Sequence, residues 1–258
     1  MMDELLTAVA AQHDELARLV DRCSGDDWER PTSAVGWDVA DVLLHLALTD
    51  ELAITSARGE LPPLADGLMG SRESQGVSVD DAAAAQVAAE RAAGGEAIRR
   101  RWHDASRGML AAFEAADPHQ RVTWVTNQLS VETLGATRLS ECWIHTGDIA
   151  SALDIRLEPT DRLRHVARLA WRTLPYAFAR AGLSMHGPVA LDLTGPHGNQ
   201  WRFDPDAPAP APALTTIRGS AAEFCEVAAR RVDAGATGLV GTGPDSETVL
   251  RVVRTYAL

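Results

Sequence analysis

Residues 138–148 have the sequence RLSECWIHTGD, which places an acid, an imidazole and a second acid at intervals of four and then three residues. On an α-helix these intervals bring Glu141, His145 and Asp148 onto one stripe. A Glu and a His four residues apart can hold a divalent metal jointly, and a ligand from another helix completes a site with an open coordination position. The segment therefore predicts a metal site between packed helices.

The candidate for the third ligand is His45, on a second predicted helix. Asp38 is suited to be the N-cap of that helix, with Asp41 at its third position, and apolar residues at helical spacing follow to about residue 55. His45, Glu141 and His145 make a set of two imidazoles and one carboxylate, which is a common open arrangement for zinc. Nickel and iron suit the same set, so these alternatives stay open.

Four further side chains near these positions have predicted roles. Asp148 lies one turn after the predicted imidazole ligand and is placed to fix its tautomer. Arg138 lies one turn before the predicted carboxylate ligand and is placed to orient it, so both are candidate catalytic residues. Trp37 and Trp143 are neighbours of the proposed ligands and candidates for cofactor or substrate binding, and an apolar wall around the metal is the equal alternative.

The same residues also have ordinary structural explanations. A Glu and a His four apart often form only a solvated pair on a helix surface, worth about 0.2–0.5 kcal/mol. A single His on an apolar helix face, such as His45 or His13, is more often a hydrogen-bonded core residue. The cysteines, Cys23, Cys142 and Cys225, lie in separate helical contexts and are expected to be buried small residues.

The composition narrows the classes of function. The chain has 258 residues, 46% of them hydrophobic, and a formal net charge of -12. This charge argues against binding to nucleic acid or to an anionic membrane, since both need clustered basic residues. All 24 basic residues are Arg, which rules out a Lys Schiff base. With no apolar run near the roughly 20 residues that span a bilayer, we expect a cytoplasmic protein, monomeric or homodimeric, that acts on a small molecule.

The apolar residues show helical periodicity in the first two thirds of the chain and alternation after that. Helices are predicted over about 1–24, 38–55, 80–116 with a break at 94–95, 130–153 and 160–180. The later pattern predicts a hairpin over 189–203, an extended Ala-Pro connector over 207–212, a strand over 214–217, and helices over 221–234 and 246–257. The prediction is a mainly α protein: a helical domain of residues 1–184, then a small α+β domain of residues 185–258.

Two segments carry a resemblance to a known family. Residues 36–46, GWDVADVLLHL, are followed about ninety residues later by the Arg, Glu, His and Asp pattern of 138–148. Together they resemble the mycothiol-dependent maleylpyruvate isomerase family of the DinB-like metal-binding superfamily, and most of all its metal-binding members of uncharacterised activity. The tail from about residue 187, including GSAAEFC at 219–225, resembles the small C-terminal domain of that family.

The resemblance implies a DinB-like four-helix bundle in which His45, Glu141 and His145 bind a divalent metal, usually zinc. It also implies that mycothiol or a similar small thiol coordinates the metal and serves as the nucleophile. A coordinating metal deprotonates a thiol near neutral pH, and the thiolate is the attacking form. An isomerase adds the thiolate to an activated double bond, allows rotation and eliminates it, whereas a transferase stops after addition or displacement.

Two other functions fit the same residues. A metal-dependent hydrolase or lyase would use metal-bound water in place of the thiol, with Asp148 or His13 assisting proton transfer. A non-catalytic protein would bind the metal or a reactive metabolite without turnover. The sequence does not select the substrate.

Overall fold

A computed structural model of the chain describes residues 2–64, 67–69, 76–205 and 213–255. The chain divides into two compact units, Met1–Leu157 and Glu158–Tyr256. The first unit is mostly helical, and the second combines helices with a small sheet. No helix in the described ranges is both long and apolar enough to cross a membrane.

Four long helices form a bundle in the first unit. They are α1 (Met2–Val20), α2 (Val39–Ala57), α4 (Gly95–Ala115) and α5 (Val131–Ala152), with the shorter α3 (Val79–Glu90) ahead of α4. Both α1 and α2 contact both α4 and α5. An antiparallel hairpin of β1 (Arg121–Thr123) and β2 (Gln128–Ser130) joins α4 to α5. The predicted mainly α fold with its four-helix bundle is confirmed.

Two apolar clusters hold the bundle together, and each takes residues from all four long helices. One cluster includes Leu16, Leu43, Ile98, Trp102 and Ile149. The other includes Leu5, Ala53, Met109, Phe113 and Leu139. Each large apolar side chain buried in this way stabilises the fold by about 1.5–3 kcal/mol. The helical periodicity of the sequence therefore reflects packing between helices.

Side-chain caps set where the two site-bearing helices begin. At α2 the carboxylate of Asp38 accepts a hydrogen bond from the Asp41 amide at 2.8 Å, and the Asp41 carboxylate accepts one from the Asp38 amide at 3.4 Å. At α5 the Ser130 hydroxyl accepts a hydrogen bond from the Thr133 amide at 3.1 Å. Each contact satisfies a helix N–H that has no partner within the helix, and the predicted starts of both helices agree with the structure.

The predicted break near residues 94–95 is also present, and packing explains it. A 3-10 turn (Arg91–Ala93) and Gly94, with a φ of 79°, separate α3 from α4. A Cβ on Gly95 would overlap the indole of Trp28, so α4 can approach that ring only through a glycine. The long loop predicted over 60–80 ends at α3, and its residues 65–66 and 70–75 lie outside the described residues.

The second unit has a mixed four-stranded sheet with the strand order β4-β3-β5-β6. Its helices are α6 (Leu163–Arg172), α7 (Leu174–Arg180), α8 (Ala221–Ala228) and α9 (Ser246–Val252). Its strands are β3 (Val189–Thr194), β4 (Gln200–Phe203), β5 (Thr215–Ser220) and β6 (Val240–Thr242). The hairpin of β3 and β4 agrees with the predicted hairpin, and β5 pairs in parallel with β3.

Several predicted elements need correction. The single helix over 160–180 is two helices, because Pro175 lacks the N–H that would continue α6 into α7. The helix over 221–234 ends at Ala228, shortly before Arg230 takes a φ of 61°. The last helix ends at Val252 and not near residue 257. Strands β1, β2 and β6 were not predicted, and the Ala-Pro connector over 207–212 lies outside the described residues.

The boundary between the two units lies earlier than the predicted division into 1–184 and 185–258. Helix α6 packs against α8, and the Trp171 Nε1–H donates to the Val189 carbonyl oxygen at 2.7 Å. Helix α7 contacts α6 and α9, so α6 and α7 both pack within the second unit. The second unit therefore begins at Glu158 and includes α6 and α7, whereas the predicted second domain begins at residue 185.

The contact at Gly95 generates a prediction for stability. Gly95→Ala should lower the free energy of unfolding by about 1–3 kcal/mol, because the added methyl group must displace Trp28. Gly147→Ala is the matched control, since Gly147 lies inside α5 with open space at its Cβ, and there the change should stabilise by about 0.5–1 kcal/mol. Urea unfolding of both variants checks this, and a stabilised Gly95→Ala protein would contradict it.

Candidate metal centre

Two helices bring the predicted ligands together. His45 projects from α2, and Glu141 and His145 project from α5. Glu141 Oε2 lies 3.7 Å from His45 Nε2 and 3.7 Å from His145 Nε2. One ligand atom from each residue lies within 4.8 Å of the other two. Ligands of one zinc ion lie about 2.0–2.2 Å from it, so these three need only small shifts to share an ion.

The three side chains are mostly buried but keep some access to solvent. The exposed fractions of the side chains are 13% for His45, 18% for Glu141 and 11% for His145. Burial lowers the pKa of His45. Burial opposes ionisation of Glu141 as well, but the neighbouring His145 and His45 hold the pKa of this carboxyl well below its usual value. These shifts favour the neutral form of His45 and the ionised form of Glu141, which are the ligand forms that a divalent cation requires.

Asp148 lies where the sequence predicted, one turn beyond His145. Its Oδ2 is 3.0 Å from His145 Nδ1. An acceptor at Nδ1 keeps the proton on that nitrogen and leaves the Nε2 lone pair directed at the centre. Burial opposes a charge on His145, but Asp148 and then Glu141 outweigh it and raise the pKa of the imidazole. The two carboxylates thus favour a positive charge at His145.

Arg138 also lies beside the centre, but its hydrogen bond goes to a residue that the sequence analysis did not select. The guanidinium Nε donates to Asp50 Oδ1 at 3.0 Å, and Asp50 belongs to α2. Its charge still reaches the predicted ligand, since Arg138 contributes to the lowered pKa of Glu141. Asp50 stands next to a second acid, Glu51, on the same helix, and the structure alone shows that Asp50 is the buried one of the two.

The two tryptophans have different positions. The ring centroid of Trp37 lies 5.0 Å from that of His45 and 6.4 Å from that of His145. Trp37 is held in place by Thr32, whose amide and hydroxyl both donate to the Trp37 carbonyl oxygen at 3.0 and 2.9 Å. Trp143 is half-buried and lies about 200° around α5 from Glu141 by helical geometry. Trp37 therefore forms one wall of the centre, and Trp143 lies on another side of its helix.

The remaining candidates are in the core. His13 is buried, its ring meets Trp102 edge-on at 5.9 Å, and neither ring nitrogen has a hydrogen-bond partner among the described residues. Cys23, Cys142 and Cys225 are buried and form no disulfide. Burial raises the pKa of Cys23 to about 11, and it raises the pKa of Cys225 further still. The burial of all three agrees with the sequence analysis, and a raised pKa makes Cys23 and Cys225 poor nucleophiles.

A helical bundle whose facing helices bring two imidazoles and a carboxylate together, in a chain that continues into a small α+β unit, is a DinB-like architecture. Residues 9–150 match the family model described as the mycothiol maleylpyruvate isomerase N-terminal domain. The chain belongs to this family. The family takes its name from an enzyme, so the predicted family and the predicted status as an enzyme are confirmed at the family level.

Relatives and solved structures agree with this assignment. Two uncharacterised proteins, from two strains of Mycobacterium tuberculosis, are each 30% identical over 249 residues, which cover 96% of this chain and 93% of the relative. The fold is similar to crystal structures of the mycothiol-dependent maleylpyruvate isomerase and of a mutant of it, with TM-scores of 0.63 and 0.60. Both are 17% identical, with 94% of this chain and 93% of that chain covered, so this likeness concerns the fold.

The burial of His13 generates a prediction for pH dependence. Burial lowers the pKa of His13 in the folded protein, with Asp50 and Asp14 favouring the charged form and Arg138 opposing it. Below the ordinary pKa of about 6.5 the unfolded chain takes up a proton that the folded chain resists, so stability should fall as the pH drops. This one group contributes a slope of at most about 1.4 kcal/mol per pH unit.

Urea unfolding of metal-stripped protein between pH 7.5 and 5.5 measures that slope. His13→Leu should flatten it, whereas His119→Leu, a change at an exposed His, should leave it as in the wild type. Equal slopes for wild type and His13→Leu would show that His13 is charged in the core.

Proposed function

We propose that this protein is a divalent-metal-dependent enzyme that uses mycothiol or a similar small thiol as a nucleophile toward a small electrophilic metabolite. The reaction is isomerisation of that metabolite or transfer of the thiol to it. The observation that carries the proposal is the convergence of His45, Glu141 and His145 in a chain whose own cysteines are buried. Zinc is the proposed metal, and nickel and iron are the alternatives for this ligand set.

The residues fit a divalent cation by their chemistry. Two imidazoles and one ionised carboxylate face one another, and Asp148 holds one imidazole in the tautomer that can ligate. When bound, a metal at this set lowers the pKa of a coordinated thiol, so that its thiolate form is available near neutral pH. Three protein ligands leave room for such a thiol.

The other residues around the centre bind, orient and exclude water. Trp37 covers the two imidazoles on one side, which lowers the local dielectric and strengthens charge interactions within the centre. Asp148 keeps the His145 ring in a fixed orientation. The partial exposure of the ligands leaves an approach for a small molecule. Isomerisation then needs only addition of the thiolate to a double bond, rotation about the resulting single bond, and elimination of the same thiolate.

The comparisons support a thiol as the cosubstrate. The matching family model and the solved structures of similar fold are named for mycothiol and for maleylpyruvate isomerase. The alternative as a hydrolase or lyase has less support, because the Asp148 carboxylate is hydrogen-bonded to His145 and His13 is buried in the core. A small-molecule substrate, a cytoplasmic location and a monomeric or homodimeric state remain part of the proposal.

Substitution of the ligands tests the metal. His45→Ala, Glu141→Gln and His145→Ala should each lower zinc affinity by more than about 100-fold, because each removes one of three protein ligands. Their helical circular dichroism should persist, since the apolar clusters are untouched. Metal analysis and chelator competition measure the effect. His103→Ala is the control, as His103 is an imidazole on α4 paired with Asp21. Full zinc content in all three variants would refute the assignment.

Thiol dependence separates the candidate functions. Zinc-loaded protein should accelerate isomerisation or thiol addition in a panel of activated unsaturated acids, and only when mycothiol or a related thiol is present. Cys142→Ala should keep this activity, because the reacting thiol is external to the chain. Turnover without any thiol would favour the hydrolase or lyase. Tight binding of an electrophile without turnover would favour a binding protein.

A further inference from the structure

A buried ion pair lies next to the metal centre. The side chains of Arg138 and Asp50 are 1% and 3% exposed. Arg138 Nε and Nη2 lie 3.0 and 2.9 Å from the same oxygen, Asp50 Oδ1. A buried guanidinium is tolerated only when a carboxylate compensates its charge, and removing one partner leaves the other uncompensated in a medium of low dielectric.

The ion pair of Arg138 and Asp50 lies between α2 and α5, the two helices that carry the proposed ligands, about one helical turn away from those ligands. Asp50 lies five residues after His45 on α2, and Arg138 lies three residues before Glu141 on α5. The two helices pack directly on each other. The hydrogen bond that Arg138 donates to Asp50 therefore fixes the guanidinium roughly one helical turn from the Glu141 carboxylate.

The charges of the pair reach the groups around it. Arg138 disfavours a positive charge on His45 and favours the ionised form of Glu141. Both charges of the pair also act on His13 of α1: Asp50 favours protonation of His13, and Arg138 disfavours it. The same fields act on any cation held by the three ligands, with Arg138 repelling it and Asp50 attracting it.

We propose that Asp50 is a positioning residue that fixes Arg138 beside Glu141 and offsets the repulsion between Arg138 and the bound cation. The proposal rests on the proposed function, because the cation belongs to it. Asp50 and Arg138 then touch neither the cation nor the substrate. They set the affinity of the centre through their charges, and the two charges have opposite effects.

Because the two charges act on the cation with opposite sign, removing each one should shift zinc affinity in opposite directions. A pair with only a structural role would not give that result. Asp50→Asn keeps the shape of the side chain and leaves the Arg138 charge uncompensated, so zinc affinity should fall by about tenfold or more. Arg138→Gln leaves the Asp50 charge uncompensated, so zinc affinity should rise. The double variant replaces the pair with two neutral amides and should return to within about threefold of wild type.

Zinc affinity is measured by chelator competition on purified full-length protein, well below the melting temperature of each variant and at two salt concentrations. Glu51→Gln is the matched control, because Glu51 is the next residue on α2 and also pairs with an arginine, Arg101, but at the surface. It should leave zinc affinity unchanged. Thermal melts of the metal-free proteins report the structural cost of each change separately.

The outcomes are distinguishable. If wild type binds zinc and both single variants shift its affinity in the same direction, or neither does, the positioning role is overturned. If wild type binds no divalent metal, the proposed function fails and this inference fails with it. If Asp50→Asn does not fold, the comparison of Arg138→Gln with the double variant replaces it, and equal zinc affinities of those two proteins would overturn the role of Asp50.

Discussion

The structure of the first unit depends on how two helices bury charge between them. Helices α2 and α5 pack through an interface that contains two imidazoles and a carboxylate in one layer and a carboxylate with a guanidinium in the next. Charged groups are tolerated in such a place only if each has a partner of suitable sign and geometry. The register of the two helices is therefore constrained: a shift of one residue would separate Asp50 from Arg138 and His45 from Glu141 together. The apolar clusters supply the stability, and the polar layers select the alignment.

Neighbouring elements position the ends of the helices and the loop residues around this interface. The capping box of Asp38 and Asp41 sets where α2 begins, and Thr32 holds the preceding loop so that Trp37 lies against both imidazoles. Gly95 lets α4 approach Trp28 closely, and this contact contributes to the same apolar cluster that flanks the site. Each of these local features is a short-range interaction, and together they orient side chains that are about a hundred residues apart in the sequence.

The sequence predicted those parts of the molecule that follow from local periodicity. The long helices, the hairpin of β3 and β4, and the stripe of Glu141, His145 and Asp148 all depend on spacings of a few residues. Strand β6 has only three residues and pairs with β5 through contacts distant in sequence, so periodicity could not reveal it. Asp50 was missed for a similar reason: next to Glu51 it looks like an ordinary helix acid, and its role is evident only once Arg138 of another helix is known to face it. Pro175 marks the break after α6 in the sequence. Because apolar residues continue at helical spacing on both sides of this proline, the periodicity predicted one continuous helix.

The burial of the cysteines has a consequence for how such a protein responds to oxidants. A catalyst that carries its reactive sulfur in its own chain is inactivated when that sulfur is oxidised, because the damaged atom is covalently part of it. Here the three cysteine side chains are buried, and the acidity of Cys23 and Cys225 is suppressed. In the proposed function the sulfur belongs to a soluble cosubstrate, which is exchangeable between turnovers. The rate would then follow the redox state of the small-thiol pool, and it would recover with that pool without synthesis of new protein.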